Sequence, residues 1–69
     1  MPSTVIRSFE YRPETAELEV TFTTGRRYLY SEVPAATVDA FRTAVPKGRF
    51  FNARIRDHYP YRELARAIT

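Results

Sequence analysis

The sequence predicts an α+β fold in which a three-stranded antiparallel β-meander is followed by two or three short helices packed on one face. Two patterns support this prediction. Apolar residues recur at every second position up to Tyr30, as in half-buried strands, and at helical spacing after Pro34. With 69 residues the chain has room for one core, so we expect a single domain over residues 1–69.

The alternating pattern predicts the first two strands. Residues 17–23 alternate strictly between polar and apolar side chains, which is typical of a strand with one buried face. The preceding strand is less regular, because Val5, Phe9 and Tyr11 would share one face and Ile6 would lie on the other with polar residues. Both strands belong to the predicted meander.

The loop before the third strand decides where Tyr28 and Tyr30 point, because a one-residue change of register exchanges the faces of a strand. A two-residue turn at Thr24-Gly25 would place both tyrosines on the open face, where they would form a platform for stacking. A three-residue loop over 23–25 would place them on the same face as Phe22. Threonine adopts positive φ reluctantly, which favours the longer loop and a core role for both tyrosines.

Helices are predicted for the rest of the chain. Pro34 suits the first turn of a helix over 35–44, with Val45 extending its apolar side, and Pro46 ends it. Leu64 and Ile68 are consistent with a short terminal helix.

A second helix is predicted between these two. Its apolar arc runs from Phe50 to Ile55, and a helical wheel makes Arg49 and Arg56 project together from the opposite side. Arg54 falls near the apolar arc.

Charge is distributed unevenly along the chain. Residues 1–41 contain four basic and six acidic residues, whereas residues 42–69 contain seven basic residues, six of them arginine, and two acidic ones. Two interpretations remain open: a solvated helical face whose arginine stems cover apolar surface, or a surface for an anionic partner such as RNA.

Several classes of protein are excluded by what the chain lacks. It has no cysteine, so disulfides and thiolate metal sites are absent, and its apolar runs are too short for a membrane span or a signal peptide. We expect a cytoplasmic location. His58 is the single histidine, no serine has the surroundings of a nucleophile, and no phosphate-binding loop is present. We therefore expect no catalytic activity, no cofactor and no metal.

Two spaced motifs carry a family resemblance. They read Leu18-x-Val20-x-Phe22-x-x-Gly25-x-x-Tyr28-x-Tyr30-x-x-Val33-Pro34 and Gly48-x-Phe50-Phe51-Asn52-x-x-Ile55-Arg56-x-x-Tyr59, with Phe41-x-x-Ala44 between them. This pattern, covering residues 5–61, resembles the KTSC domain, a short domain at the C-terminus of some lysyl-tRNA synthetases that also occurs as stand-alone bacterial and phage proteins. The resemblance implies a small α+β domain, and its synthetase context implies RNA binding. Phe50 stands where the family usually has Tyr, and Thr24 where Asn or Asp is common.

A binding module for RNA is the function that the residues favour. Recognition of single-stranded RNA combines cations that attract phosphates with aromatic faces on which bases stack. The candidate binding residues are Lys47, Arg49, Asn52, Arg54, Arg56, Tyr59, Tyr61, Arg62 and Arg66, with Tyr28 and Tyr30 as a further aromatic platform. For Tyr59 and Tyr61 the competing interpretation is a clasp that closes the core.

The alternative is a protein-interaction or self-association domain with no nucleic-acid role. The first strand is rich in apolar residues and would lie at a sheet edge, where another protein or a second copy of the chain could add a strand. Salt distinguishes the two hypotheses, because phosphate binding weakens steeply as salt rises whereas apolar docking does not.

Overall fold

The computed structural model describes residues 6–64. Over this range the chain forms four strands, two α-helices and one π-helical turn. In chain order these are β1 (Ile6–Arg12), β2 (Glu17–Phe22), β3 (Arg27–Tyr30), α1 (Ala35–Thr43), α2 (Lys47–Phe50), the π turn (Phe51–Ile55) and β4 (Tyr61–Leu64). The strands pair antiparallel in the order β1-β2-β3-β4, so β1 lies at a sheet edge as expected. The α+β class is confirmed, with one strand more than predicted.

The core lies between one face of the sheet and the helices. Nine buried side chains from β2, β3, α1, the π turn and the loop after β3 form one cluster: Leu18, Val20, Phe22, Tyr30, Val33, Val38, Phe41, Phe51 and Ile55. The Phe51 ring packs edge-on against Phe22 at 5.4 Å and against Tyr30 at 5.4 Å between ring centroids. Through these two contacts Phe51 joins the helical layer to the sheet. Large rings of this kind supply much of the buried area of a small core.

The β2–β3 hairpin has the longer loop that the sequence favoured. The Phe22 N–H donates to the Arg26 carbonyl at 2.9 Å, leaving residues 23–25 in the loop, and Gly25 has φ of 93°. Tyr28 and Tyr30 are therefore paired with core residues of β2 and lie on the helix-covered face.

A bulge in β1 overturns the prediction for Ile6. The register shifts between Ile6 and Ser8, so that Ile6 packs against the core together with Phe9 and Tyr11. One extra residue in a strand reverses the alternation on one side of it, which a strict two-residue period cannot anticipate. Val5 lies outside the described residues.

The predicted terminal helix is wrong for residues 61–64, which form β4 and pair with β3. The free N–H and C=O groups along the edge of β3 form hydrogen bonds with this segment, and this pairing outweighs its local preference for helix. Ile68 lies outside the described residues.

The second helix covers the predicted arc from Phe50 to Ile55, but it begins earlier, at Lys47, where a break was expected from Lys47-Gly48, and it changes type along its length. The Arg56 N–H donates to the Phe51 carbonyl at 2.8 Å, the five-residue span of a π turn, and Arg56 itself has extended backbone. A regular helical wheel therefore does not describe where Arg56 points.

Val45 was predicted to extend the apolar side of α1 but is 91% exposed. α1 ends at Thr43, and Ala44 already has extended backbone. Val45 follows this end of the helix, so helical spacing no longer applies to its side chain.

Candidate functional site

Three tyrosines meet where β3 pairs with β4, and we call Tyr28, Tyr30 and Tyr61 the tyrosine cluster. Tyr61 lies opposite Tyr30 across the strands, and their rings stack with centroids 5.2 Å apart and planes 26° apart. Tyr28 contacts Tyr61 edge-on at 5.7 Å. Tyr30 is 2% exposed whereas Tyr61 is 57% exposed, so the cluster presents one accessible ring supported by a buried one.

Electrostatics keep the buried tyrosine neutral. Burial, and then the neighbouring Tyr61 and Tyr28, raise the pKa of Tyr30 to about 12, while the positive charge of Arg56 acts in the opposite direction. A hydrogen bond with Tyr28, and then the charge of Glu63, raise the pKa of Arg26. Guanidinium groups therefore flank the tyrosine cluster, and its buried member Tyr30 carries no phenolate charge at neutral pH.

A second feature is an open groove at the junction of α1 and α2, with a volume of about 350 Å³. We call it the helix-junction groove; it is lined by Ala44, Val45, Pro46, Arg49, Phe50, Ala53 and Arg54. The Arg54 guanidinium lies 5.5 Å from the centre of the Phe50 ring, and Phe50 in turn stacks on Phe41 at 5.7 Å.

Lys47 has a structural task within the helical layer. Its ammonium donates to the carbonyls of Arg42 at 3.0 Å and Ala44 at 3.5 Å, at the C-terminal end of α1. A cation at this end of a helix satisfies carbonyls that lack partners within the helix and complements the helix dipole. The Lys47 ammonium is thus engaged by backbone carbonyls at the end of α1, a role that the sequence pattern did not indicate.

The predicted binding residues are distributed over several surfaces. Arg49 and Arg54 line the groove, whereas the positive charge of Arg56 acts to lower the pKa of Tyr30 in the tyrosine cluster. Arg62 lies opposite Leu29 on the other face of the sheet. Tyr59 packs against the core, and its hydroxyl is 3.3 Å from that of Thr37.

The two tyrosines of the Tyr-Pro-Tyr segment therefore have different environments. Tyr59 takes the clasp role that the sequence left open, while Tyr61 is accessible. Asn52 is exposed on the π turn, and Arg66 lies outside the described residues.

Ion pairs separate the arginines of residues 6–64 into two groups. Among residues 6–64, the ion pairs join Arg12 and Arg27 to Glu19, Arg26 to Glu63, and Arg42 to Asp39. Within that same range Arg7, Arg49, Arg54, Arg56 and Arg62 enter no ion pair, so their charges are available to a partner. Four of these five come from the basic half of the sequence.

Several residues of these surfaces were not predicted as site residues: Arg26 beside the tyrosine cluster, and Ala44, Val45, Pro46, Phe50 and Ala53 in the groove. Arg26 shares the face of Tyr28 because of the three-residue loop, and this signal was present in the hairpin pattern. Val45 was assigned to a buried helical face, and nothing in the spacing of the apolar residues distinguished it from a core residue.

Neither a metal site nor a membrane-spanning helix is found in the part of the chain that the structure describes. Residues 6–64 contain no group of three or more His, Cys, Asp or Glu side chains placed to hold a metal ion. No helix in that range is long and apolar enough to cross a bilayer. His58 is exposed beside the end of the π turn.

Comparison with known proteins identifies the family. The model of the KTSC domain matches residues 2–59, so this chain belongs to the KTSC domain family. A KTSC domain protein from Yersinia pestis has the same fold, with a TM-score of 0.86 and 34% identity over 94% of this chain and 92% of that one.

Curated relatives fall into two kinds. An uncharacterized protein of Stutzerimonas stutzeri is 40% identical over 62 residues, which cover 88% of this chain and 87% of that protein. Lysine–tRNA ligases of Nostoc sp. and Nostoc punctiforme are 30% and 31% identical over 87% and 88% of this chain. The chain spans only 11% of the length of each ligase.

Proposed function

We propose that this KTSC domain is an accessory RNA-binding module in which Tyr61 stacks on an unpaired base. The observation that carries this proposal is the accessible Tyr61 ring, stacked on the buried Tyr30 ring at 5.2 Å. Base stacking on an aromatic ring contributes about 1–3 kcal/mol per base and tolerates any base, because each has a π face.

The support beneath Tyr61 favours binding. A ring already packed against Tyr30 and Tyr28 loses little conformational freedom when a base stacks on it, and preorganisation of this kind strengthens association. Arg56 enters no described ion pair and acts on the same cluster, so its guanidinium is available to a phosphate of the bound strand.

The relatives favour RNA over other polyanions. Two of them are lysine–tRNA ligases in which a segment corresponding to this chain makes up a small part of the protein. An accessory domain in a ligase of this kind would add contacts to tRNA beyond those of the catalytic part. We therefore propose tRNA, contacted at unpaired nucleotides, as the first RNA to test.

Fluorescence anisotropy tests this function directly. Labelled tRNA and a labelled unstructured RNA are titrated with the full chain at about 50 and 200 mM salt; if roughly six phosphates are contacted, affinity falls about a thousandfold over that range. We expect salt-sensitive binding that prefers tRNA. Absence of binding at the lower salt concentration contradicts the proposal, and equal binding to both RNAs reduces it to a general affinity for polyanions.

Matched variants separate stacking from charge. Tyr61→Phe keeps the ring and is expected to bind RNA like the parent, whereas Tyr61→Ser removes it and should weaken binding by about tenfold. Arg56→Gln should reduce the slope of log affinity against log salt by about one, while Arg7→Gln, at the opposite sheet edge, leaves it unchanged. If the two arginine substitutions changed the salt slope equally, the RNA would not bind beside Arg56 and the tyrosine cluster.

A further inference from the structure

The helix-junction groove combines an exposed aliphatic surface with uncompensated positive charge. Val45 is 91% exposed, although valine is usually buried, and Pro46 and two alanines continue the aliphatic surface beside it. A small apolar surface of this kind is normal in itself, so its significance depends on the charges that accompany it.

Those charges have one sign. Arg49 and Arg54 line the groove, none of its seven lining residues is Asp or Glu, and neither arginine joins an ion pair with any residue from 6 to 64. Both arginines are exposed, so a carboxylate can reach them, and a guanidinium pairs with a carboxylate through charge-assisted hydrogen bonds that can be bidentate. The groove is thus complementary to a ligand that is both apolar and anionic.

The aromatic residue of the groove disfavours a nucleobase as that ligand. The Phe50 ring already stacks on Phe41 and already lies beneath the Arg54 guanidinium, which leaves little ring surface for a base. The rest of the floor is aliphatic, whereas sites for unpaired bases offer open aromatic faces.

We propose that the helix-junction groove binds an acidic peptide segment of a partner protein, with an apolar side chain on Val45 and Pro46 and carboxylates on Arg49 and Arg54. This site shares no residue with the tyrosine cluster, so it is independent of the proposed RNA binding. A domain with both sites would join an RNA to a protein that carries the acidic segment.

Synthetic peptides of defined charge and apolar content test the proposal. A short fluorescein-labelled peptide of alternating Glu and Leu is titrated with the full chain, beside a Glu–Ser peptide of equal charge and a Lys–Leu peptide of equal apolar content. We expect binding of the Glu–Leu peptide alone, because the groove requires both properties. Equal binding of the Glu–Ser peptide, or no binding of the Glu–Leu peptide up to about 1 mM, overturns the proposal.

Single substitutions test whether the peptide binds in the helix-junction groove. Val45→Ser removes an exposed side chain without changing charge, so the fold is kept, and it should weaken peptide binding about tenfold or more while leaving RNA binding unchanged. Arg49→Gln should also weaken peptide binding, and the matched control Arg62→Gln, on the other face of the sheet, should not.

Amide chemical shifts give a readout that does not depend on substitution. Addition of the Glu–Leu peptide should perturb signals of residues 44–54 and leave those of Tyr61 in place. Perturbations centred on Tyr61, or a normal affinity in Val45→Ser, would overturn the assignment to the groove. Failure of RNA binding would leave this result unaffected, since the two sites are tested with different probes and variants.

Discussion

Tyr11 joins β1 to the loop that follows β3 through a hydrogen bond between its hydroxyl and the Val33 carbonyl oxygen, 2.7 Å away. Tyr11→Phe leaves this carbonyl without its donor, and an unpaired partly buried acceptor costs about 1–3 kcal/mol. We expect the free energy of unfolding in urea to fall by about 1 kcal/mol. Tyr61→Phe, which alters an exposed residue, serves as the control. Equal urea midpoints for the two variants would show that the bond contributes nothing.

Tyr30 predicts a loss of stability at alkaline pH. Its pKa is about 12 in the folded chain, against an ordinary value of 10.0, so between these values the unfolded chain has lost the proton that the folded chain keeps. The stabilisation is complete below pH 10 and is lost as the pH rises towards 12. Thermal melts of Tyr30→Phe should therefore decline less over this window than those of the parent chain. Parallel declines would mean that Tyr30 ionises as easily as in the unfolded chain.

At the scale of the elements, the two hairpins predict substitution effects of opposite sign. Gly25 has φ of 93°, which L-residues rarely adopt, so Gly25→Ala should destabilise the β2–β3 hairpin by about 1 kcal/mol although the space for a methyl group is open. Ala16, before β2, already has φ of 58°, so Ala16→Gly should stabilise the chain by up to about 1 kcal/mol. Urea unfolding of both variants measures the two shifts. Shifts of the same sign would contradict the argument from backbone strain.

Local sequence patterns predicted some of the strands and missed another. Strict alternation in β2 and the reluctance of Thr24 to adopt positive φ were sufficient for β2 and for the register of Tyr30, because both are local properties. β4 was missed because its pairing depends on β3, whose paired residues lie 31 to 37 positions earlier in the chain, rather than on its own residues.

For the candidate site the local patterns were less informative. The π turn changes the helical phase within the second helix, so Arg49 lies with Arg54 in the groove rather than with Arg56. The exposure of Val45 follows from where α1 ends, which helical spacing alone does not reveal.

For the whole molecule, the structural domain extends beyond the region that the family model matches. That match ends at residue 59, whereas β4 completes the sheet and covers Tyr30 with Tyr61. Since a core of this size supplies only about 3–5 kcal/mol, a chain ending at Pro60 should be largely unfolded at room temperature. A chain ending at Leu64 keeps every described contact of β4 and is the matched control. Circular dichroism distinguishes them, and a folded shorter chain would show that β4 is dispensable.

The π turn has a consequence for how such a groove could diverge among related chains. A π turn accommodates one residue more than an α-helical turn, so loss of a single residue there restores regular helix instead of breaking it. The residues on one side of the deletion would rotate relative to the other side by about 100°, one residue's share of an α-helical turn. Insertion or deletion at Phe51–Ile55 would thereby re-aim Arg54 relative to Phe50, changing ligand preference through chain length rather than through the identity of a side chain.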